Sequence, residues 1–99
     1  AIDLNPTYAE AVFHRANAYF ELKNFSAAIE DFTKSIGLDP KEDKSYISRG
    51  VAYGYLQKYK DAIEDYSHAI NLNPESAMAY NYRGVIHIKM KHYEKALQD

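Results

Sequence analysis

Pro6, Pro40 and Pro74 stand 34 residues apart, and each closes a version of one phrase: Asp3-Leu4-Asn5-Pro6, Gly37-Leu38-Asp39-Pro40 and Asn71-Leu72-Asn73-Pro74. A fixed period of this length means that one structural unit is copied along the chain. Such units bury their apolar faces against neighbouring units, so the chain is expected to stack and not to close around a single core. A short stack of this kind offers a shaped binding surface more readily than a catalytic pocket.

Aligned on the prolines, the copies run over residues 9–42, 43–76 and 77–99, with residues 1–8 as the tail of a preceding copy. The first half of each copy repeats Val12/Tyr46/Tyr80, Arg15/Arg49/Arg83, Ala16/Gly50/Gly84, Tyr19/Tyr53/His87 and Leu22/Leu56/Met90. The second half repeats Phe25/Tyr59/Tyr93, Ala28/Ala62/Ala96, Ile29/Ile63/Leu97, Phe32/Tyr66, Ser35/Ala69 and Ile36/Ile70. Spacings of three, four and seven within each half describe a helix stripe and not a strand alternation.

Each copy therefore predicts two helices, near 9–22 and 25–37, 43–56 and 59–71, then 77–90 with a stub from about 93. Proline disfavours helical geometry in the residue before it, which puts Asn5, Asp39 and Asn73 outside their helices. Thr7-x-x-Glu10 has the form of a capping box and Asn24 is a good N-cap, whereas Gln57-Lys58 and Lys91-His92 offer no clear cap. Glycine inside a helix costs about 1 kcal/mol relative to alanine. Its presence at both Gly50 and Gly84 predicts close approach of another helix, with the large aromatics Tyr19, Tyr53, Phe32 and Tyr66 filling the space on either side.

These residues resemble the tetratricopeptide repeat family, whose 34-residue unit has a W-x-x-L-G-x-x-Y, A, F/Y, A, P pattern. Tyr46-x-x-Arg49-Gly50-x-x-Tyr53 with Ala62, Tyr66, Ala69 and Pro74 follows it closely. Val12-x-x-Arg15-Ala16-x-x-Tyr19 with Ala28, Phe32, Ser35 and Pro40 follows it with milder departures, and Tyr80-x-x-Arg83-Gly84-x-x-His87 with Ala96 continues it. The resemblance implies an all-α fold, a right-handed solenoid of antiparallel helix pairs whose first helices line a concave groove that holds peptides or partner proteins.

The chain departs from the family where Arg15, Arg49 and Arg83 replace the common leucine, and Asp31, Asp65 and Asp99 recur at a second fixed place. Opposite charges in phase with the core predict a ladder of Arg–Asp contacts that fixes register. Exposed pairs of this kind contribute only about 0–1 kcal/mol each. The alternative is that the arginine stems cover apolar surface while their heads point to water.

Carrying the family's groove positions over residue by residue gives Glu10, Phe13, His14, Asn17, Phe20 and Glu21 from the first copy. The second gives Lys44, Ile47, Ser48, Val51, Gly54 and Tyr55, and the third Met78, Asn81, Tyr82, Val85, Ile88 and Lys89. Aromatic and aliphatic groups on an exposed face mark interaction sites. Phe13, Phe20, Val51 and Val85 could equally pack between adjacent helices. One subfamily grips chaperone C-terminal carboxylates with two lysines, two asparagines and an arginine. The corresponding places here hold Phe13, Asn17, Ser48, Met78 and Tyr82, and only Asn17 matches. Without those cations the charge-assisted hydrogen bonds to an anionic tail are lost, so chaperone tails are not the expected partner.

Other function classes find little support. His14, His68, His87 and His92 occupy different repeat positions with no i, i+4 pair for a helical zinc site. Glu30-Asp31 and Glu64-Asp65 are adjacent on helices and point apart. No phosphate loop, nucleophile motif or cofactor signature is present, so the expectation is a scaffold with no catalysis of its own. If the chain belongs to an enzyme, it would be that enzyme's recognition or regulatory part. The net charge of −2 gives no general attraction to nucleic acid, and Lys89, Lys91, His92 and Lys95 read as a solvated turn. No apolar run reaches membrane-spanning length. The absence of cysteine removes disulfides and thiolate chemistry without fixing a compartment.

Neither end carries the polar cap usual for solenoids. Ala1 to Leu4 and Tyr93 to Asp99 look like complementary parts of one second helix, which predicts end-to-end stacking of molecules. The principal reading is thus a peptide- or protein-binding scaffold, and its rival is a set of spacer repeats that only extends a longer superhelix.

Overall fold

The computed structural model describes the backbone of residues 6–98 and the side chains of residues 8–92. Among the described residues five helices follow one another: α1 (Pro6–Glu21), α2 (Phe25–Leu38), α3 (Asp43–Tyr55), α4 (Tyr59–Leu72) and α5 (Ala77–Gln98). α1 packs antiparallel on α2 and α3 on α4, and α2 against α3 and α4 against α5 join successive units. The result is an all-α solenoid with extents of 55 × 30 × 18 Å.

Local chemistry sets most boundaries. Asn24 caps α2 by accepting the Ala27 N–H at 3.3 Å, and Ser76 accepts the Ala79 N–H at 3.3 Å ahead of α5. Lys58, ahead of α4, makes no side-chain cap bond. Asp39 and Asn73, each followed by proline, stand just past the ends of α2 and α4. α1 differs from the expected start: it begins at Pro6, which places Thr7 inside the first turn and not at a capping box. The fixed φ of proline suits the first helical position.

The two hairpin turns reverse at Lys23 and Gln57, with φ of 64° and 63°. In both, the following N–H donates back into the first helix, from Asn24 to the Tyr19 carbonyl and from Lys58 to the Tyr53 carbonyl, each at 2.9 Å. A left-handed non-glycine residue costs about 1–2 kcal/mol, which packing of the second helix offsets. The third copy departs from the sequence expectation. Lys91, one period beyond Gln57, shows no reversal, and α5 runs straight through to Gln98 instead of stopping near residue 90. Lys91 and His92 therefore lie on a helix and not in a solvated turn. The expected N-terminal stub, residues 1–4, lies outside the described residues, and a straight α5 does not present a C-terminal stub in hairpin position.

Small residues seat large ones. Ala16 packs with Ala28 and Phe32 between α1 and α2. Around α3, α4 and α5 the core gathers Ile47, Ala62, Tyr66, Ala69, Ala79 and Ile86. A Cβ on Gly50 would stand 2.7 Å from the Tyr66 ring, so this glycine marks a true close approach. Gly84 does not, since nothing lies within 4 Å of a Cβ built there. Between the hairpins the buried Ser35 hydroxyl donates to the Ala9 carbonyl at 3.3 Å and shares a 3.2 Å hydrogen bond with the Ser45 hydroxyl, which satisfies polar groups inside the stack.

Candidate functional site

Only the first helix of each copy contributes to one cleft of about 200 Å³. Asn17 and Phe20 come from α1, Ile47, Ser48 and Val51 from α3, and Met78 and Tyr82 from α5. Their spacing of three or four residues puts them on one face of each helix. The cleft is open and mostly apolar, with the amide of Asn17 and the hydroxyls of Ser48 and Tyr82 as its polar points. Tyr82 is held from behind by its stack on the buried Tyr66, with ring centres 5.7 Å apart. Burial pushes the Tyr66 phenol far above its ordinary range, so it stays neutral beneath the cleft.

A larger cleft of about 430 Å³ opens beside it near the start of α1, lined by Ala9, Glu10, Phe13, His14, Ser35, Asp39, Glu42, Lys44 and Ser45. Several of its polar groups are already engaged: Asp39 accepts the Lys41 N–H at 3.4 Å, Glu42 accepts the Lys44 N–H at 3.3 Å, and the two serines bond each other. The smaller cleft carries more weight as a recognition surface, because it spans all three copies whereas the larger one is lined only by residues 9–45.

The expected groove residues divide accordingly. Phe13 and His14 line the larger cleft, with their rings edge to face at 5.9 Å. Phe13 also packs on Phe32 at 5.7 Å. Ile47 is only 6% exposed and belongs to the core, so it forms the floor of the cleft and is not a free contact. Gly54, carried over as groove-facing, instead receives α5, with the Ile86 side chain 3.1 Å from a Cβ built there. Tyr55 lines neither cleft. Its ring stacks on Phe25 at 4.9 Å and meets the edge of Phe20 at 5.6 Å, because the end of α3 lies over the first turn of the hairpin. Asn81, Val85 and Lys89 are exposed on α5 and line neither cleft.

The in-phase charges are placed as follows. Arg15 Nε and Nη2 donate to the two oxygens of Asp31 at 2.6 and 3.0 Å. Arg49 makes the same fork to Asp65 at 2.8 and 2.7 Å. Both guanidinium groups hold their protons more tightly than usual, chiefly through the hydrogen bond to the partner aspartate. Burial raises the Asp65 carboxyl above its ordinary value despite Arg49, which acts in the opposite direction. Asp99 lies outside the described residues, so the third pair has no structural account. Thr33 and Ser67 escaped the sequence reading. The Thr33 hydroxyl accepts from Arg49 Nη1 at 3.1 Å, and the Ser67 hydroxyl accepts from Arg83 Nη1 at 3.3 Å, each from the preceding copy. Their signal was visible as two hydroxyl residues one period apart.

Among the described residues no group of three His, Cys, Asp or Glu side chains could hold a metal ion. No described helix is long and apolar enough to cross a membrane.

Comparison with known proteins places this geometry. Human Tetratricopeptide repeat protein 6 is 42% identical over 43 residues, which is 43% of this chain and 8% of that protein. Among solved structures, the second TPR of Spaghetti (RPAP3) bound to the HSP90 peptide SRMEEVD superposes with a TM-score of 0.84 at 29% identity, covering 95% of this chain and 87% of that one. The first TPR of the same protein, bound to the same peptide, gives 0.79 at 33%, covering 89% and 68%. The TPR2B domain of yeast Sti1 in its pHsp70 complex gives 0.82 at 28%, covering 91% and 72%. The expectation that chaperone tails are disfavoured is therefore not borne out by these neighbours, three of which hold such partners. Profiles of the tetratricopeptide repeat match residues 9–42, 44–76 and 66–98. The chain belongs to the tetratricopeptide repeat family.

Proposed function

We propose that this chain is a protein-interaction scaffold that holds a peptide segment across the cleft formed by α1, α3 and α5. The observation that carries the reading is that seven residues from three separate helices converge on this one cleft. Apolar floor, aromatic wall and a few polar points form the usual composition of a recognition surface. The structural neighbours bound to the HSP90 peptide and to pHsp70 support peptide recognition as the class of activity. An amide at Asn17 and hydroxyls at Ser48 and Tyr82 supply hydrogen bonds but no positive charge. Affinity for an acidic tail would then rest on side-chain contacts more than on gripping its carboxylate.

The test is selection from a peptide display library, with the labelled peptide SRMEEVD as a defined probe alongside. Wild type is expected to enrich a common motif. Asn17→Ala and Met78→Ala, neither of which is a core residue, should weaken the selected peptide at least tenfold while leaving the helical circular-dichroism signal unchanged. Failure to enrich any motif would favour the spacer reading, and binding that both variants leave intact would put the peptide outside this cleft.

A further inference from the structure

The larger cleft, of about 430 Å³, differs in its chemistry from the smaller one. Glu10, Asp39 and Glu42 bring three carboxylates to it, against the single ammonium of Lys44. Elsewhere the chain pairs its buried carboxylates, since Asp31 and Asp65 each hold an arginine in a two-pronged hydrogen bond. The three in the cleft hold none. Among the described residues no cation, Lys44 included, forms an ion pair with them. Asp39 and Glu42 are half-buried. Each engages one oxygen, Oδ1 and Oε1, with a backbone N–H, and the second oxygen of each has no partner among the described residues.

The two clefts are consecutive stretches of one crevice between α1 and α3. Asn17 and Ser48 of the smaller cleft follow Phe13 and Lys44 of the larger by four positions, one turn along the same helix face. That step is about 6 Å of helix. Side chains two positions apart on an extended peptide point the same way and stand about 7 Å apart, so a peptide in the crevice can fill both clefts at once. Phe13 forms an apolar wall of the larger one, braced on the buried Phe32 at 5.7 Å and meeting His14 edge to face at 5.9 Å. An alkyl stem can lie on that wall while a cationic head reaches the carboxylates.

We infer that the larger cleft is a subsite of the peptide groove for a basic side chain, a lysine or arginine two positions from the apolar residue held beside Ile47 and Met78. The inference rests on the peptide reading and adds to it the charge of the partner. Lysine and arginine heads carry several N–H donors and no acceptor, which suits a wall of carboxylate oxygens. A neutral side chain there would take water from the carboxylates and return no hydrogen bond. An acidic one would meet three like charges, and such contacts reject wrong partners. No group of three His, Cys, Asp or Glu side chains among the described residues could hold a metal ion. The cation that fits is therefore one carried on its own apolar stem, which Phe13 can cover.

A display library of random heptapeptides tests the subsite, followed by fluorescence anisotropy on a selected peptide. The enriched motif is expected to place Lys or Arg two positions from an apolar residue. Replacing that basic residue with norleucine should weaken binding to wild type about tenfold, the scale of one charge-assisted hydrogen bond. The same replacement should change nothing in the triple variant Glu10→Gln, Asp39→Asn, Glu42→Gln, whose amides keep the side-chain shape and an acceptor for each backbone N–H. Should that variant lose its helical circular-dichroism signal, Glu10→Gln alone, at an exposed position, carries the comparison. A motif without a basic residue, or a replacement that costs the same in wild type and variant, overturns the subsite and leaves the peptide groove standing. Enrichment of no motif at all removes the groove and the subsite together.

Discussion

The α1–α2 and α3–α4 hairpins have the same turn, the same Arg–Asp fork and the same small-against-aromatic contact, yet they differ in cover. The Arg15 side chain is 56% exposed, whereas that of Arg49 is 17% exposed and is held by an additional bond to Thr33. α3 lies between α1 and α5, while α1 has a first-helix neighbour on one side. The aspartate is buried in both hairpins, so what differs is the guanidinium, largely solvated in the first and desolvated in the second. Position in the stack, and not residue identity, decides what the pair contributes.

The strongest way to break this comparison is to remove each aspartate. Asp65→Ala strands a mostly buried guanidinium and is expected to cost about 3 kcal/mol, in line with other broken buried pairs. Asp31→Ala leaves Arg15 free to hydrate, so its loss should be clearly smaller. Urea unfolding of both variants checks the order, and equal losses would contradict it. Next come the glycines. Gly50→Ala pushes a methyl group into the enclosed Tyr66 ring and should cost about 1–3 kcal/mol. Adding Tyr66→Phe, which copies the Ala16/Phe32 pair of the first hairpin, should recover part of that. Gly84→Ala meets nothing and should gain up to about 1 kcal/mol from helix propensity.

A smaller effect concerns the turns. Asn24 caps α2 while Lys58 leaves α4 without a side-chain cap. Lys58→Asn should therefore raise the thermal midpoint through about 0.5–1 kcal/mol, and Asn24→Ala should lower it by a similar amount. The smallest expected effect is in pH. Because the Asp65 carboxyl is raised in the folded chain, the folded state binds its proton more readily than the unfolded chain does. Its contribution is then fully present below the unfolded carboxylate value and is lost as pH rises through the folded one. Relative to Asp65→Asn, which has no titrating group there, wild type should gain stability as pH falls through the carboxylate range. The opposite slope would show that the fork to Arg49 outweighs burial.

The period and the helix stripe made the fold legible, because both are written locally. The limits of α2, α3 and α4 lie within about a residue of those read from Pro40, Pro74 and Asn24, since caps and prolines act on their immediate neighbours. The straight course of α5 was not legible. Lys91 differs little from Lys23 as a residue, and whether either turns depends on what packs afterwards. Gly50 and Gly84 make the same point, since identical residues at identical register meet Tyr66 in one case and open space in the other. For the cleft, helix periodicity gave the right helices but not depth. Ile47 and Gly54 point toward the stack by a fraction of a turn, a rotation set by tertiary packing that residue spacing does not resolve.

Two of the widest-reaching side-chain hydrogen bonds join positions only 26 and 30 apart in sequence, Ser35 to Ala9 and Asn73 to Asp43. The chain therefore never has to find a distant segment of itself in order to fold. Loops that must close are short, so the entropic barrier is low, and low-contact-order helical chains of this kind fold in microseconds to milliseconds. The same locality lets an end unit open without taking its neighbours with it. Hydrogen exchange should accordingly be fastest in α1 and α5 and slowest in the α2–α3–α4 interior.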